Sequence, residues 1–262
     1  VVLGEAAVLH PQASWLRAAA RFVAAATGAK YAEMPCGANA LGLVSVGVLP
    51  GQGGLDARSM LAQPRKGYLL FGAEPPYDFA DGAQALGALK SAQKVVAFSA
   101  YASDALREVA DVILPVALLP ETDATLVNVE GISQAVAAGA RAPGETRPGW
   151  RVLRALGALL DISGFEFDDL AELRASLSSH GSSAHVAREA QRAGLAARPV
   201  SATGTGTLIR LSTMPIYRGD AVLRRAKALN AHPLNRAPAA RLSPADAERL
   251  GQLLGGLGLA DA

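Results

Sequence analysis

The residues of this chain that are best suited to hold a ligand follow three short apolar runs typical of buried β-strands. In an open parallel sheet, ligands bind outside the carboxyl ends of the strands. A glycine there lets a backbone N–H approach a phosphate, and a carboxylate can accept a hydrogen bond from a ribose hydroxyl. The same residues also fit tight turns after the strands, which is the structural alternative. The candidate crevice residues are Gly4, Glu5, Gly72, Glu74, Ser99 and Tyr101.

Standard loops and triads for nucleotide binding or hydrolysis are missing from the sequence. Residues 204–206 read Gly-Thr-Gly without a third glycine or a preceding strand pattern, so they fail the dinucleotide fingerprint. Residues 51–54 are glycine-rich but lack the Lys-Ser or Lys-Thr pair that follows in a phosphate loop. There is no Gly-x-Ser-x-Gly elbow, and the acid pair Glu121 and Asp123 has no matched base beside it in the sequence. We therefore expect no catalytic residues in this chain.

The histidines and the cysteine do not predict a metal centre. Cys36 is the one cysteine, so the chain cannot form an internal disulfide. An iron-sulfur cluster takes about four thiolates, so this chain alone cannot hold one. His180 and His185 are five residues apart, which does not place them on one helix face for zinc. We interpret Cys36 as a small core residue and expect no metal site.

Composition describes a globular protein without a nucleic-acid or membrane-spanning signature. The chain has 262 residues, of which 50% are hydrophobic, with a mean hydropathy of +0.22. Its net charge is +2 and aromatic residues make up 5%, so it lacks the basic stripe interleaved with aromatics of a nucleic-acid binder. The longest apolar runs are broken well before the ~18 to 20 residues of a membrane span. We expect no nucleic-acid partner and no direct membrane insertion.

The elements that must position the crevice residues alternate between strands and helices through the first 115 residues. This alternation predicts an α/β fold with a Rossmann-like parallel sheet flanked by helices. Four of the five strands read as nearly continuous apolar runs, as strands covered on both faces do. The five strands are predicted at residues 1–4, 30–33, 68–71, 94–99 and 111–114. Helices are predicted between them at residues 11–27, 38–48, 55–63, 80–91 and 103–109.

After Pro115 the pattern changes, which predicts a small β excursion and a helical C-terminal appendage. The excursion comprises two runs, 125–129 and 133–137, and helices follow at 150–160 and 168–177. Residues 178–207 are rich in small and polar residues, and we expect them to form a weakly ordered linker. A short strand at 208–211, a helix at 220–229 and a last helix capped by Ser243 and Pro244 then follow. The predicted organisation is a domain at 1–177, the linker 178–207 and a C-terminal segment at 208–262.

One pair of motifs resembles a known family. Residues 110–115 read Ala-Asp-Val-Ile-Leu-Pro, and residues 121–131 read Glu-Thr-Asp-Ala-Thr-Leu-Val-Asn-Val-Glu-Gly. This combination resembles the molybdopterin oxidoreductase superfamily, which implies that domain type here. The family-motif residues are Glu121, Asn128, Glu130 and Gly131. Physically, Gly131 supplies a turn, and Asn128 with Glu130 can hydrogen-bond the backbone of the excursion.

Two positions depart from the superfamily pattern. Ile132 stands where arginine is usual, and Ala124 stands where glycine is usual. Both departures argue against a pterin-related role for this loop. Downstream, residues 140–153 and 215–226 are similar to the cluster-bearing peripheral-arm subunits of the NADH-quinone oxidoreductases, and residues 241–251 resemble the entry to the C-terminal barrel domain of that family. The resemblance thus implies that residues 208–262 hold the start of a truncated barrel.

The resemblance implies a structural and docking part of the peripheral arm of respiratory complex I, which transfers electrons from NADH to quinone and couples this to proton translocation. Its partners would be other peripheral-arm subunits, on the cytoplasmic side of the bacterial inner membrane. Iron-sulfur clusters would lie in an N-terminal region of the full subunit, and this chain would be a C-terminal fragment without cofactors. The alternatives are a fragment of a true molybdopterin-dependent oxidoreductase, such as a formate dehydrogenase, and an unrelated α/β nucleotide-binding module.

Overall fold

Five short strands form parallel pairs in the first half of the chain, as the alternating pattern predicts. The computed structural model describes residues 1–10, 12–34, 37–75, 77–179, 217–233, 235 and 242–256. The strands are β1 (Val2–Leu3), β2 (Ala32–Glu33), β3 (Gly67–Phe71), β4 (Lys94–Ser99) and β5 (Val112–Pro115). An antiparallel hairpin follows, formed by β6 (Ala124–Val127) and β7 (Ser133–Val136). The fold class is therefore confirmed as α/β with parallel sheets flanked by helices, and the β excursion is present.

The sequence predicts a single five-stranded parallel sheet, and this prediction is wrong for the described residues. Strands β3, β4 and β5 form one parallel sheet in that order, while β1 and β2 form a separate parallel pair. The pair is short, because each strand has only two residues and α1 (Glu5–Val8) starts directly after Gly4. In the described residues no third strand pairs with β1 or β2, and the Val2 side chain is 65% exposed.

Helices begin where the sequence offers a capping side chain. The side chains of Asp56, Asp81 and Ser103 accept hydrogen bonds from backbone N–H groups three residues ahead, which satisfies donors that a helix start leaves unpaired. The first eight helices are α1, α2 (Ala13–Thr27), α3 (Ala40–Ser45), α4 (Ala57–Ala62), α5 (Gly82–Lys90), α6 (Asp104–Val109), α7 (Gly149–Leu159) and α8 (Leu170–Ser179). Helices α2 to α8 agree with the predicted helices to within a few residues at each end, whereas the short helix α1 was not predicted.

The C-terminal part divides differently from the prediction. The helix expected at 220–229 is two helices, α9 (Ala221–Arg225) and α10 (Lys227–Asn230). Ala226 is extended between them, and the Asn230 side-chain amide donates to the carbonyls of Leu223, Arg224 and Ala226. The side chain thus replaces helical hydrogen bonds that the break removes. The last helix, α11 (Pro244–Gly256), begins after Ser243 as predicted.

The chain divides into two compact units, Val1–Arg198 and Pro199–Ala262. Several predictions lie outside the described residues: the core role of Cys36, the zinc assessment of His180 and His185, the Gly-Thr-Gly turn, the strand at 208–211 and nearly all of the linker 178–207. The predicted domain boundaries and the truncated barrel stay predictions. Among the described helices, none is long and apolar enough to span a membrane.

The hydrophobic core lies on one face of the β3–β5 sheet. Helices α4, α5 and α6 all pack there, because their apolar residues meet the inward side chains of the strands. The core residues from the strands are Tyr68, Leu70, Val95 and Ala97, and those from the helices are Leu61, Ala85, Ala88, Leu89, Leu106 and Val109. On the opposite face Phe98 of β4 is fully buried, whereas Leu69 is 62% exposed and Phe71 54% exposed. The apolar runs predict coverage of both faces, and among the described residues the second face is covered at Phe98 but open at Leu69 and Phe71.

Leu106→Ala tests whether this face carries the stability of the domain. Leu106 is fully buried, so the truncation is expected to lower the free energy of unfolding by about 2 to 5 kcal/mol, through lost burial and the cavity left behind. Leu159, 84% exposed at the end of α7, is the matched control, and Leu159→Ala should change stability by less than about 0.5 kcal/mol. Urea titrations followed by circular dichroism measure both. Equal losses in the two variants would contradict this assignment of the core.

Candidate functional site

The carboxyl end of β3 turns sharply and then buries an acidic residue. Gly72 has a φ of +66°, which favours glycine, and its N–H donates to the Phe98 carbonyl at 2.8 Å, so it continues the ladder to β4. Two residues later Glu74 is only 1% exposed, and its N–H donates to Asp78 Oδ2 at 2.7 Å. The structure thus brings Gly72 and Glu74 to the end of the β3–β5 sheet, as the sequence predicts.

The end of β4 lies beside this turn and is closed by its own side chain. The Ser99 hydroxyl is buried; it donates to the Tyr101 carbonyl at 2.9 Å and the Tyr101 N–H donates back to it at 3.2 Å. Ser99 therefore stabilises the turn that leaves the sheet. Four predicted crevice residues, Gly72, Glu74, Ser99 and Tyr101, follow neighbouring strands of one sheet.

Gly4 and Glu5 are not part of that sheet edge. Gly4 precedes α1, and its carbonyl accepts hydrogen bonds from the N–H groups of Ala7 and Val8, both at 3.1 Å. Glu5 lies in the first turn of α1 and is half-buried. Because β1 pairs with β2 and not with β3, the sequence-based grouping of Gly4 and Glu5 with the other candidates is not reproduced by strand pairing.

A charged cluster at the end of β2 was missed by the sequence reasoning. Arg17 of α2 binds both carboxylate oxygens of Glu33, with Nε at 2.8 and 3.0 Å and Nη2 at 2.6 Å from Oε1. The Tyr31 hydroxyl donates to Glu33 Oε2 at 3.0 Å, and the Arg21 guanidinium lies 5.1 Å from the centre of the Tyr31 ring. This network ties α2 to β2 through a bidentate ion pair.

The cluster shifts the proton affinities of its members. Hydrogen bonds from Arg17 hold the pKa of Glu33 below its ordinary value against the opposing effect of burial. Burial, reinforced by the hydrogen bond to Glu33, raises the pKa of Tyr31. A signal was present in the sequence: Arg17 and Arg21 are spaced four apart on a helix, and Tyr31 and Glu33 two apart on a strand, so each pair shares a face.

Two carboxylates in residues 121–131, those of Glu121 and Asp123, accept hydrogen bonds from backbone N–H groups of this chain. Glu121 Oε2 accepts a hydrogen bond from the Leu118 N–H at 3.0 Å and closes a 3-10 turn, Leu119–Glu121. Asp123 Oδ1 accepts one from the Ala138 N–H at 2.8 Å and fixes the segment that follows β7. Both carboxylates therefore have a structural role in the hairpin.

Asn128 organises the turn between β6 and β7. Its Oδ1 accepts hydrogen bonds from the N–H groups of Glu130 and Ile132 at 3.0 and 2.9 Å. Gly131 has a φ of +83°, and its N–H donates to the Asn128 carbonyl at 3.0 Å. The predicted roles of Asn128 and Gly131 are confirmed. Glu130 takes part through its backbone N–H, while its side chain is exposed, which corrects the expectation that its carboxylate holds the backbone.

A residue far away in sequence anchors the hairpin. Asn39, just before α3, accepts a hydrogen bond from the Val127 N–H through Oδ1 at 2.8 Å. Gly42 leaves room for that side chain, because a Cβ at Gly42 would lie 2.1 Å from Asn39 Oδ1. This contact joins residues 88 positions apart in the sequence. It was not predicted, because no pattern in the neighbouring sequence indicates it.

Asp111 of the first motif joins two strands at their amino ends. Its Oδ2 accepts a hydrogen bond from the Val95 N–H at 2.7 Å, and its Oδ1 lies 3.1 Å from Lys94 Nζ. The Val95 hydrogen bond, helped by Lys94, holds the pKa of Asp111 below its ordinary value. This aspartate therefore completes the start of the β4–β5 ladder.

The basic side chains found at the described strand ends are already paired: Arg147, which lies beside Val116 after β5, binds Glu145. The stretches that follow β3 and β4, residues 72–78 and 99–103, contain no lysine or arginine. Arg17, near the end of β2, is already paired with Glu33. In the described part of the chain, no group of three or more His, Cys, Asp or Glu residues is arranged to hold a metal ion.

Comparison with known proteins identifies a family match and three relatives. The family model described as molybdopterin oxidoreductase matches residues 2–159. The chain is 34% identical over 79 residues to the mitochondrial NADH-ubiquinone oxidoreductase 78 kDa subunit of Neurospora crassa, which covers 30% of this chain and 10% of that protein. It is 32% identical over 101 residues to the 75 kDa subunit of Reclinomonas americana, covering 38% and 15%.

A third relative is the mitochondrial NADH-ubiquinone oxidoreductase 78 kDa subunit of Candida albicans. It is 35% identical over 82 residues, which covers 31% of this chain and 11% of that protein. The matched region spans 10% to 15% of the length of the three relatives. All three are subunits of the same kind of oxidoreductase, in agreement with the sequence resemblance.

Glu33→Gln tests the ion pair that joins α2 to β2. The lowered pKa of Glu33 means that the ion pair stabilises the folded chain fully above the ordinary glutamate value of about 4.3, and that this contribution is lost as the pH falls through the lowered value. The side chains of Arg17 and Glu33 are 33% and 23% exposed, so solvent screens the pair, and the expected loss at neutral pH is about 1 kcal/mol.

Chemical unfolding at several pH values measures this effect. The stability difference between the wild type and Glu33→Gln should shrink steadily as the pH falls below about 4.3. Glu130→Gln is the control, because the Glu130 side chain is exposed, and its difference should stay near zero throughout. A Glu33→Gln deficit that is constant from neutral to acidic pH would contradict the assignment.

Proposed function

This chain belongs to the molybdopterin oxidoreductase family, and from that premise we propose that it is a structural and docking domain of an NADH-quinone oxidoreductase, the respiratory complex I. The similarity to the 75 and 78 kDa subunits of NADH-ubiquinone oxidoreductase supports this assignment over other branches of the family. In such an assembly, electrons pass from NADH toward quinone, coupled to proton translocation. The contribution of this chain is the scaffold on which neighbouring subunits dock.

One observation carries the proposal: the most family-specific side chains are used to hold the protein's own backbone. Glu121 and Asn128 each accept hydrogen bonds from nearby main-chain N–H groups. A carboxylate or amide oxygen that already fixes a turn is poorly suited to bind and release a ligand. The family motif thus explains how the hairpin keeps its shape, which is what a docking domain requires.

The residues at the strand ends do not fit the pterin cofactor that the family name implies. A pterin dinucleotide carries a charged pyrophosphate, which favours helix N-termini backed by basic side chains. The turn after β3 instead offers Glu74 and Asp78, and no lysine or arginine lies within residues 72–78 or 99–103. Like charges about 4 Å apart repel by about 1 kcal/mol in water and by more where solvent is excluded. We therefore assign no catalytic step and no cofactor to this chain.

Electron carriers belong to other parts of the assembly. An iron-sulfur cluster takes about four thiolates, and this chain has the single cysteine Cys36. We infer that the clusters lie in another region of the complete subunit or in its partners. The partners are other subunits of the peripheral arm, and the chain lies peripherally on the cytoplasmic side of the bacterial inner membrane.

Affinity purification from the native host tests the proposal. A tagged copy of the full chain should retrieve the other peripheral-arm subunits together with NADH-quinone reductase activity from gently solubilised membranes. The same tag on an unrelated protein of similar size is the control. Retrieval of formate-oxidising activity instead, or of no respiratory subunit, would contradict the proposed role and favour the molybdopterin-dependent alternative.

A further inference from the structure

The hairpin strand β7 presents an uncovered edge. All ten residues from Gly131 to Ala140 are exposed, including every residue of β7. β6 pairs with β7 on one side, and no other described strand pairs with β7 on the opposite side. Unpaired strand edges present rows of N–H and C=O groups that pair readily with another strand.

The register identifies which backbone groups point outward. Asn128 N–H donates to the Ile132 carbonyl, so the directly bonded cross-strand pairs continue at every second residue, with Leu126 opposite Gln134. Ser133 and Ala135 lie at the positions between, and their N–H and C=O groups point away from β6. The same alternation points the Val127 N–H of β6 away from β7. Asn39 accepts a hydrogen bond from this N–H, in agreement with the directions assigned to the backbone groups.

No charge protects this edge. Natural edge strands are guarded by charged residues or proline, but residues 131–140 contain neither. Ile132 and Val136 are 53% and 41% exposed, which leaves two apolar side chains uncovered beside the open backbone groups.

The strand is also held ready for pairing. Asn39 anchors β6, Asp123 fixes the segment after β7, and Asn128 fixes the turn between the two strands. A strand that is already ordered loses little conformational entropy when it binds. The edge is therefore a preformed template for another strand.

We propose that β7 pairs antiparallel with β7 of a second copy of this chain, about a two-fold axis at Gln134. This register places Ser133 opposite Ala135 of the second copy, so the outward N–H and C=O groups of both residues bond reciprocally. Ile132 then lies opposite Val136 of the second copy, and the two exposed apolar side chains cover each other. The product is a continuous four-stranded antiparallel sheet.

Self-pairing fits this edge better than pairing with an unlike chain. The two-fold axis brings Gln134 opposite its own copy, where a charge would repel itself, and residues 131–140 carry none. A glutamine amide both donates and accepts, so Gln134 can hydrogen-bond to its own copy across the axis. The contact is small, which places it in the class of weak and reversible interfaces, so association should depend on protein concentration.

Charge substitution at Gln134 tests the proposal on the full chain by sedimentation velocity. The wild type should shift from monomer toward dimer as its concentration rises about a hundredfold, whereas Gln134→Lys and Gln134→Glu should each weaken dimerisation at least about tenfold. An equimolar mixture of the two variants should recover it, because opposite charges then meet at the axis. Thr125→Lys is the control, since Thr125 is exposed on β6, away from the edge, and should dimerise like the wild type.

Circular dichroism of each variant shows that the fold is retained, since both positions are exposed and Gln134 pairs with β6 through its backbone. A wild type that stays monomeric at every concentration would overturn the proposal. So would dimerisation that is unaffected by both Gln134 variants, or a mixture of them that does not recover. The test does not depend on the proposed function, because it uses no other subunit.

Discussion

Backbone N–H groups that a strand or turn leaves without a ladder partner must find another acceptor when water has limited access. In this chain, carboxylate and amide side chains supply that acceptor at the main transitions of the fold. The Asp111 carboxylate accepts a hydrogen bond from a β4 N–H at the start of the β4–β5 ladder. The Asn128 side chain accepts one within the hairpin turn, and the Asn39 side chain accepts one from an outward N–H of β6. The bonds of Asp111 and Asn39 are partly buried, where an unpaired N–H would be costly, whereas the bonds of Asn128 fix an exposed turn.

This constraint changes how the family motif is understood. Acids and amides grouped beside a parallel sheet invite a ligand-binding interpretation, since the carboxyl edge of such sheets is where ligands bind. Here the same residue types accept hydrogen bonds from the main chain, and the turn after β3 carries Glu74 and Asp78 without a lysine or arginine. The motif residues Glu121 and Asn128 thus contribute to the shape of the domain through hydrogen bonds to its own backbone.

Local signals explain what the sequence predicted well. Helices α4, α5 and α6 begin at Asp56, Asp81 and Ser103, and such capping residues are visible in the sequence within one turn of the helix they start. Strand β4 is a continuous apolar run. The separation of β1 and β2 from the larger sheet was not predictable in this way, because strand pairing depends on packing between distant segments. The Asn39 to Val127 contact was missed for the same reason.

The central claim is that the strand-end crevice and the motif residues maintain the fold and hold no pterin cofactor. The most direct measurement is the molybdenum and pterin content of the full chain, purified from a host that makes the molybdenum cofactor, with a molybdoenzyme of that host as positive control. Metal analysis and the fluorescence of released, oxidised pterin should both remain at background for this chain. Near-stoichiometric molybdenum or pterin would contradict the account.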